Sequence, residues 1–188
     1  MKTRCRWCEN SFEEYVRYHD EEWGVPVHDD QRHFEFLVLE SAQAGLSWAT
    51  ILKKREGYRK AFADFQVETV ASYGAGMIED LLKDSSIIRN RQKIEAAINN
   101  AQKFIEIKEE FGSFDSYIWR FVDGKPLINQ WKSSEEVPVT TKESDALSKD
   151  LKKHGFKFVG STTMYAHMQA IGLVNDHMTD CFRYAELS

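Results

Sequence analysis

Proline occurs only at positions 26, 126 and 138 of this 188-residue chain, so long stretches contain nothing that would stop a helix. Within them the apolar residues recur at helical spacing, most clearly Ile94, Ala97, Ile98, Ala101, Phe104 and Ile105. An all-α protein is expected. No repeat, low-complexity tract or linker divides the chain, and its length suits one domain with its own core. Ser11 with Glu14 forms a capping-box pattern for a first helix near Phe12, and Asp29 or Asp30 is placed to cap a second through Phe34 to Ala44, ended by Gly45. Ser47 is placed to cap a third helix carrying Trp48, Ile51, Leu52, Tyr58 and Phe62, and a shorter one is expected from Val67 to Ser72.

Ile78, Leu81 and Leu82, then residues 85–91 and the long amphipathic stretch, read as helix, tight turn, helix. Gly112 should close that helix, and Ser113 should open another through Tyr117 to Val122, followed by a turn at Asp123-Gly-Lys-Pro126. Gln130 to Thr141 is polar and reads as a surface loop; Thr140 with Glu143 repeats the capping-box pattern before a helix from Asp145 to His154. A last core helix is expected from Thr162 to Ile171, stopped by Gly172.

Charge narrows the function. With 25 Lys and Arg against 30 Asp and Glu, the net charge of −5 excludes binding of polyanions by bulk charge, so any nucleic-acid role has to rest on local patches. Three cysteines are too few for a disulfide framework, the first residues have no apolar signal core, and no run approaches the ~20 apolar residues of a membrane span. A soluble, intracellular (cytoplasmic) protein with no membrane association is expected.

Two features carry chemistry. Asn175-Asp176-His177-Met-Thr-Asp-Cys181 sets a His and a Cys four apart, on one face if Asp176 caps a helix, while Cys5, Cys8 and His19 lie at the other end of the chain. Two tetrahedral zinc sets are open: Cys5, His19, His177 and Cys181, or Cys5, Cys8, His177 and Cys181. Either is closed to substrate, which makes the zinc structural, and its binding energy would count as folding energy. The second feature is Glu40, which ends the apolar run Phe36 to Leu39 and is followed by Ala42, Ala44 and Leu46, so its carboxylate is expected to be partly buried. Tyr15, Tyr18, His19 and Trp23 bring aromatic rings from the first helix. Basic residues cluster at 53–60, at Arg89, Arg91 and Lys93, and at Lys149, Lys152, Lys153 and Lys157, as a phosphate backbone would require. An aromatic slot with one carboxylate beside basic patches suggests a base turned out of a duplex and read by stacking.

The strings Tyr15-x-x-Tyr18-His19-Asp20-x-Glu22-Trp23-Gly24-Val25-Pro26 and Leu39-Glu40-x-x-Gln43-Ala44-Gly45-Leu46-Ser47-Trp48 are long enough to be specific. With Trp7, Leu52-Lys-Lys-Arg-Glu56, Ile87-Ile-Arg89-x-Arg91-x-Lys93-Ile94, Ser144-Asp-Ala-Leu-Ser-Lys149, Lys157-Phe-Val-Gly160 and Gly172-Leu-Val-Asn-Asp-His177, the sequence resembles the DNA-3-methyladenine glycosylase I family from Cys5 to Cys181. The resemblance implies a helix-hairpin-helix DNA glycosylase of base-excision repair, with the helix-hairpin-helix element spanning roughly 76–110. It further implies one structural zinc ion per chain on Cys5, His19, His177 and Cys181, with Cys8 as a departure. Glu40 would hydrogen-bond the amino edge of the damaged adenine, between Tyr15, Tyr18, Trp23 and Trp48. The turn Gln43 to Ser47, including Gly45, would wedge into double-stranded DNA carrying alkylated bases with Leu46 at its tip, and the hairpin with Arg89, Arg91 and Lys93 would hold phosphates. Neither the essential Asp nor the nucleophilic Lys of other helix-hairpin-helix glycosylases is recognisable by motif, so a monofunctional, monomeric hydrolase is expected.

Overall fold

Every residue from His33 to Ala42 is buried, which puts the second helix at the centre of the molecule, because a helix buried on all sides has to be surrounded. The computed structural model describes residues 2–188 as α1 (Glu13–Glu21), α2 (Asp30–Gln43), α3 (Trp48–Ala61), α4 (Val67–Ala71), α5 (Ala75–Leu81), α6 (Arg91–Phe111), α7 (Phe114–Trp119), α8 (Lys142–Lys153), α9 (Ser161–Ala170) and α10 (Phe182–Glu186). Helices α3, α6, α7 and α9 pack around α2. Phe34 of α2 meets Phe104 of α6 edge-on, and Phe104 stacks on Phe114 of α7 with ring centroids 4.0 Å apart. Among the described residues no helix is long and apolar enough to cross a membrane.

The protein is mostly helical, with one small departure from the all-α expectation. Two short strands, β1 (Leu127–Ile128) and β2 (Val174–Asn175), pair in parallel, Leu127 with Val174 and Ile128 with Asn175. The expected helix after Asp176 is absent: residues 176–181 are irregular and α10 starts only at Phe182. His177 and Cys181 are therefore brought together by a loop anchored to a strand, not by helical spacing.

Most helix ends follow local chemistry. Asp29 accepts the Arg32 amide at 2.9 Å, Ser47 that of Thr50 at 3.2 Å, and Asn90 that of Lys93 at 3.1 Å. The Ser11–Glu14 box does not form; the residue before α1 is Phe12, whose side chain caps nothing. The second box lies one residue later than the Thr140–Glu143 pattern. Thr141 accepts the Ser144 amide and the Ser144 hydroxyl accepts the Thr141 amide, so a serine does the work assigned to the glutamate.

Between α5 and α6, residues 82–90 lie on α3. Lys54 donates to the Ser85 carbonyl at 2.7 Å and the Ile88 amide donates to the Tyr58 hydroxyl at 3.2 Å. A Cβ at Gly57 would collide with Ser86, so only glycine lets the segment approach this closely.

Candidate active site

The C-terminal half of α2, the inner face of α1 and the start of α3 enclose a cavity of about 310 Å³, closed on its far side by α9 and the segment after β2. Tyr15, Tyr18, Trp23, Glu40 and Trp48, all picked out in the sequence, line it together with Gln43. Trp7 completes the aromatic wall, its ring edge-on to Tyr15 at 5.3 Å and to Trp23 at 5.0 Å, and Tyr18 lies 5.3 Å from Trp48. The indole N–H of Trp48 is buried with no partner among the described residues, a donor in the wall.

Glu40 is 4% exposed. Its carboxyl has no hydrogen-bond or ion-pair partner among the described residues, and burial alone pushes its pKa up to about 8. At neutral pH the empty cavity thus holds a protonated acid that would ionise readily if a cation came to lie beside it. Its position follows from α2 being buried throughout: a helix with no solvent face carries even its glutamates inward. Glu35, on the same helix, shows the contrasting case. Arg55 and Arg59 donate to it at 2.8 and 3.1 Å, and Arg55 also grips Glu22 at 2.8 Å, so that buried carboxylate has its counter-ions.

At the opposite end of α1, Cys5, His19, His177 and Cys181 are all buried, with one ligand atom each and all four atoms within 4.8 Å of one another. Cys5 Sγ and Cys181 Sγ each lie 3.6 Å from His177 Nδ1, and Cys181 Sγ lies 3.5 Å from His19 Nε2. A zinc ion with bonds of about 2.3 Å to sulfur and about 2.0 Å to nitrogen gives tetrahedral edges of about 3.5 Å, so the donor set fits that ion. The outer nitrogens are also engaged as at metal sites: His19 Nδ1 donates to Asp20 at 2.8 Å, which Arg4 clamps from outside, and His177 Nε2 donates to the Trp23 carbonyl at 2.9 Å. Cys8 stands apart, its thiol donating to the Cys5 carbonyl at 3.1 Å. The geometry thus assembles the first of the two sets left open by the sequence. If the cluster holds a zinc ion, Cys8→Ser is expected to leave the metal content of purified protein unchanged by elemental analysis; loss of metal would restore the set containing Cys8.

The profile of the methyladenine glycosylase family matches residues 7–184. The chain belongs to this family. It is 47% identical over 182 residues to the DNA-3-methyladenine glycosylase of Haemophilus influenzae, covering 96% of this chain and 97% of that one. The fold superposes on a crystal structure of 3-methyladenine DNA glycosylase I with a TM-score of 0.93 at 49% identity, covering 96% and 98% of the two chains. A variant of a 3-methyladenine DNA glycosylase I in complex with 3-methyladenine gives a TM-score of 0.92 at 40% identity, covering 95% and 96%.

In this methyladenine glycosylase the turn between α2 and α3 stands out from the surface. Gly45 has φ +78°, and Leu46 is 39% exposed, a large apolar side chain at the tip. Arg89 and Arg91 are exposed near the start of α6, Arg91 paired with Glu79 at 2.6 Å. Lys93 does something else: its ammonium donates to the carbonyls of Ala42 and Ala44 at 2.8 and 2.6 Å, so it caps the C-terminus of α2 and braces the turn. The basic run 53–60 is not a patch either, because Lys54 holds Ser85 and Arg55 and Arg59 face Glu22 and Glu35. Sequence reasoning missed the far wall of the cavity, Ser134, Val137, Ala166, Gln169, Asp176 and Met178. For Asp176 the only signal in the sequence is a carboxylate beside a metal-ligand candidate, at a position that suggests a helix cap.

Proposed function

We propose that this protein flips 3-methyladenine out of alkylated double-stranded DNA into the aromatic cavity and hydrolyses its N-glycosidic bond, leaving an abasic site. The observation that carries this reading is Glu40: a carboxyl without partners among the described residues, inside a ring-lined cavity of a size suited to one purine. Methylation at N3 leaves the purine ring positively charged. The rings attract that charge through their faces, and its arrival supplies the counter-ion that Glu40 lacks. Neutral adenine offers neither interaction, so recognition and selectivity share one set of contacts.

The reaction needs little from the protein beyond orientation. The bond from C1′ to N9 breaks with its electron pair going to N9, which cancels the ring's charge, so the base leaves neutral and needs no acid. Water forms the new bond to C1′ and gives its proton to solvent. Ionised Glu40 stabilises the positive charge that the sugar gains as the base departs. The exposed Leu46 turn supplies the apolar wedge that fills the vacated stack, with Arg89 and Arg91 near the phosphates of the same strand. The segments from 76 to 110 act as a helix-hairpin-helix, held on α3 through Lys54, Gly57 and Tyr58. A zinc ion on Cys5, His19, His177 and Cys181 fits the donor set; it would be structural, joining the two ends of the chain beneath Trp7 and Trp23. The protein works as a monomer in the cytoplasm.

Because Glu40 has to lose its proton to pair with the cation, apparent affinity for a permanently cationic analogue, 3,9-dimethyladeninium, is expected to rise about tenfold per pH unit from pH 6 and to level off near pH 8. Calorimetry in buffers of different ionisation enthalpy checks this by the proton released on binding. Hydrolysis, as opposed to lyase chemistry, is tested on an alkylated duplex labelled at one end. Strands should stay intact after enzyme treatment and break only on heating in alkali. Breakage without alkali would show a lyase step and contradict the monofunctional reading.

A further inference from the structure

Almost nothing in the turn between α2 and α3 holds it in place. Residues 44–47 are all exposed, a Cβ at Gly45 would meet nothing within 4 Å, and Ala44 leaves the helix with ψ 117°. The turn is closed by the Leu46 amide, which donates to the Gln43 carbonyl at 2.6 Å. Among the described residues, the hydrogen bond that ties residues 44–47 to a remote part of the chain comes from Lys93. We infer that Lys93 is a positioning residue, which locks the Leu46 wedge to the hairpin that holds the phosphates, so that DNA seated on one meets the other in register. The inference rests on the glycosylase reading and adds to it the coupling of its two DNA-contacting parts.

Both ends of this lysine carry the argument. Its ammonium donates to Ala42 at 2.8 Å and to Ala44 at 2.6 Å, one carbonyl in the last turn of α2 and one just beyond it. These are groups of the kind that a helix C-terminus leaves without an amide partner. No acid competes for the ammonium: Lys93 forms no ion pair among the described residues, whereas Arg91 meets Glu79 and Glu95. A lysine that served the phosphates would turn its charge to solvent, and this one is committed to two carbonyls.

The backbone of Lys93 belongs to the hairpin. Its amide donates to the Asn90 side chain at 3.1 Å, the bond that starts α6, and Arg89 and Arg91 flank Asn90 in the chain. The segment 89–93 thus contains the exposed arginines, the helix cap and the brace. Glu40 does not depend on this brace, because α2 is buried as far as Ala42 and its packing fixes the carboxyl. Loss of the ammonium therefore frees the wedge and leaves the cavity intact.

Lys93→Met removes the ammonium and keeps the stem, which lines a narrow cleft with Ala42, Ile88 and Ile94. Release of 3-methyladenine from methylated duplex DNA, under single-turnover conditions with saturating enzyme, is expected to fall roughly 10²-fold, the scale of a misplacement of about 1 Å. Affinity of the cavity for 3,9-dimethyladeninium, read by tryptophan quenching, should stay that of the wild type. Affinity for undamaged duplex and its dependence on salt should also be unchanged, because Lys93 neutralises no phosphate. A double-mutant cycle with Leu46→Ala decides whether the lysine acts through the wedge: the double variant should be no slower than the slower single variant. Losses that multiply in the cycle would overturn the inference. So would a salt slope smaller by about 0.9, the mark of one lost phosphate contact, or wild-type release by folded Lys93→Met. If Lys93→Met does not fold, Lys93→Gln, whose amide is too short to reach both carbonyls, takes its place in the same cycle. A wild-type protein that releases no base would overturn the glycosylase reading and the inference with it, whereas the other outcomes, measured against an active wild type, overturn the inference alone.

Discussion

Glu40→Gln should slow release of 3-methyladenine from alkylated DNA by at least ~10²-fold at neutral pH, the usual scale for removing one preorganised charge from a dry site. The same change should make the folded protein more stable. Burial raises the Glu40 pKa from 4.5 to about 8, so between those values the unfolded chain releases a proton that the folded protein keeps. Stability therefore falls as pH rises through that window, and glutamine, which has no proton to lose, removes the penalty. The gain should be absent near pH 4.5 and on the order of 3 kcal/mol at pH 7, read as a rise in unfolding midpoint of several degrees. An inactive, better-folded variant separates a functional carboxylate from a structural one, because truncation of a structural acid lowers stability. If Glu40→Gln proves less stable and fully active, Glu40 has been assigned the wrong role.

Removing the zinc ion proposed for the Cys and His cluster should have the second largest effect. Strong chelation, or Cys181→Ser, is expected to cost at least ~3 kcal/mol and to lower the unfolding midpoint by about 10 °C, since the binding energy of a closed structural site is folding energy. The loss should be local before it is global. The four residues draw on the two ends of the chain, while the core around α2 is built from residues between them. Trp7 packs edge-on against His19 at 5.1 Å, and His177 holds the Trp23 carbonyl, so two walls of the cavity rest on the cluster. Far-ultraviolet circular dichroism should stay near native after chelation, while tryptophan fluorescence shifts and base binding disappears. Unchanged stability and activity after complete removal of metal would refute the structural role.

The parts of the molecule that were legible in the sequence were those set by neighbours along the chain. Asp29, Ser47, Ser113 and Gly112 end or begin helices through bonds that close within a turn, and the apolar run Phe36 to Leu39 marked the central helix that buries Glu40. Errors arose where several groups could satisfy the same orphan backbone amide. Thr141 with Ser144 took the place of Thr140 with Glu143, the Ser144 hydroxyl being held at the same time by Ser161 of α9. Residues whose partners are remote gave no signal at all. Lys93 looks like a phosphate ligand until Ala42 and Ala44 are found beneath it, and Arg55 looks like part of a basic patch until Glu22 and Glu35 are seen to turn it inward. The spacing of His177 and Cys181 suggested a helix, yet the strand pair with Leu127 and Ile128, invisible as a two-residue element, is what sets that segment.

The central claim is tested most directly by mass spectrometry of the free bases that the purified, metal-replete protein releases from methylated duplex DNA. The same DNA carries 7-methylguanine, a base of the same charge and different shape, as an internal reference. Release of 3-methyladenine with 7-methylguanine left in place is the expected result. Release of neither base by folded protein would contradict the account, and leave a cavity that binds damaged DNA without cleaving it.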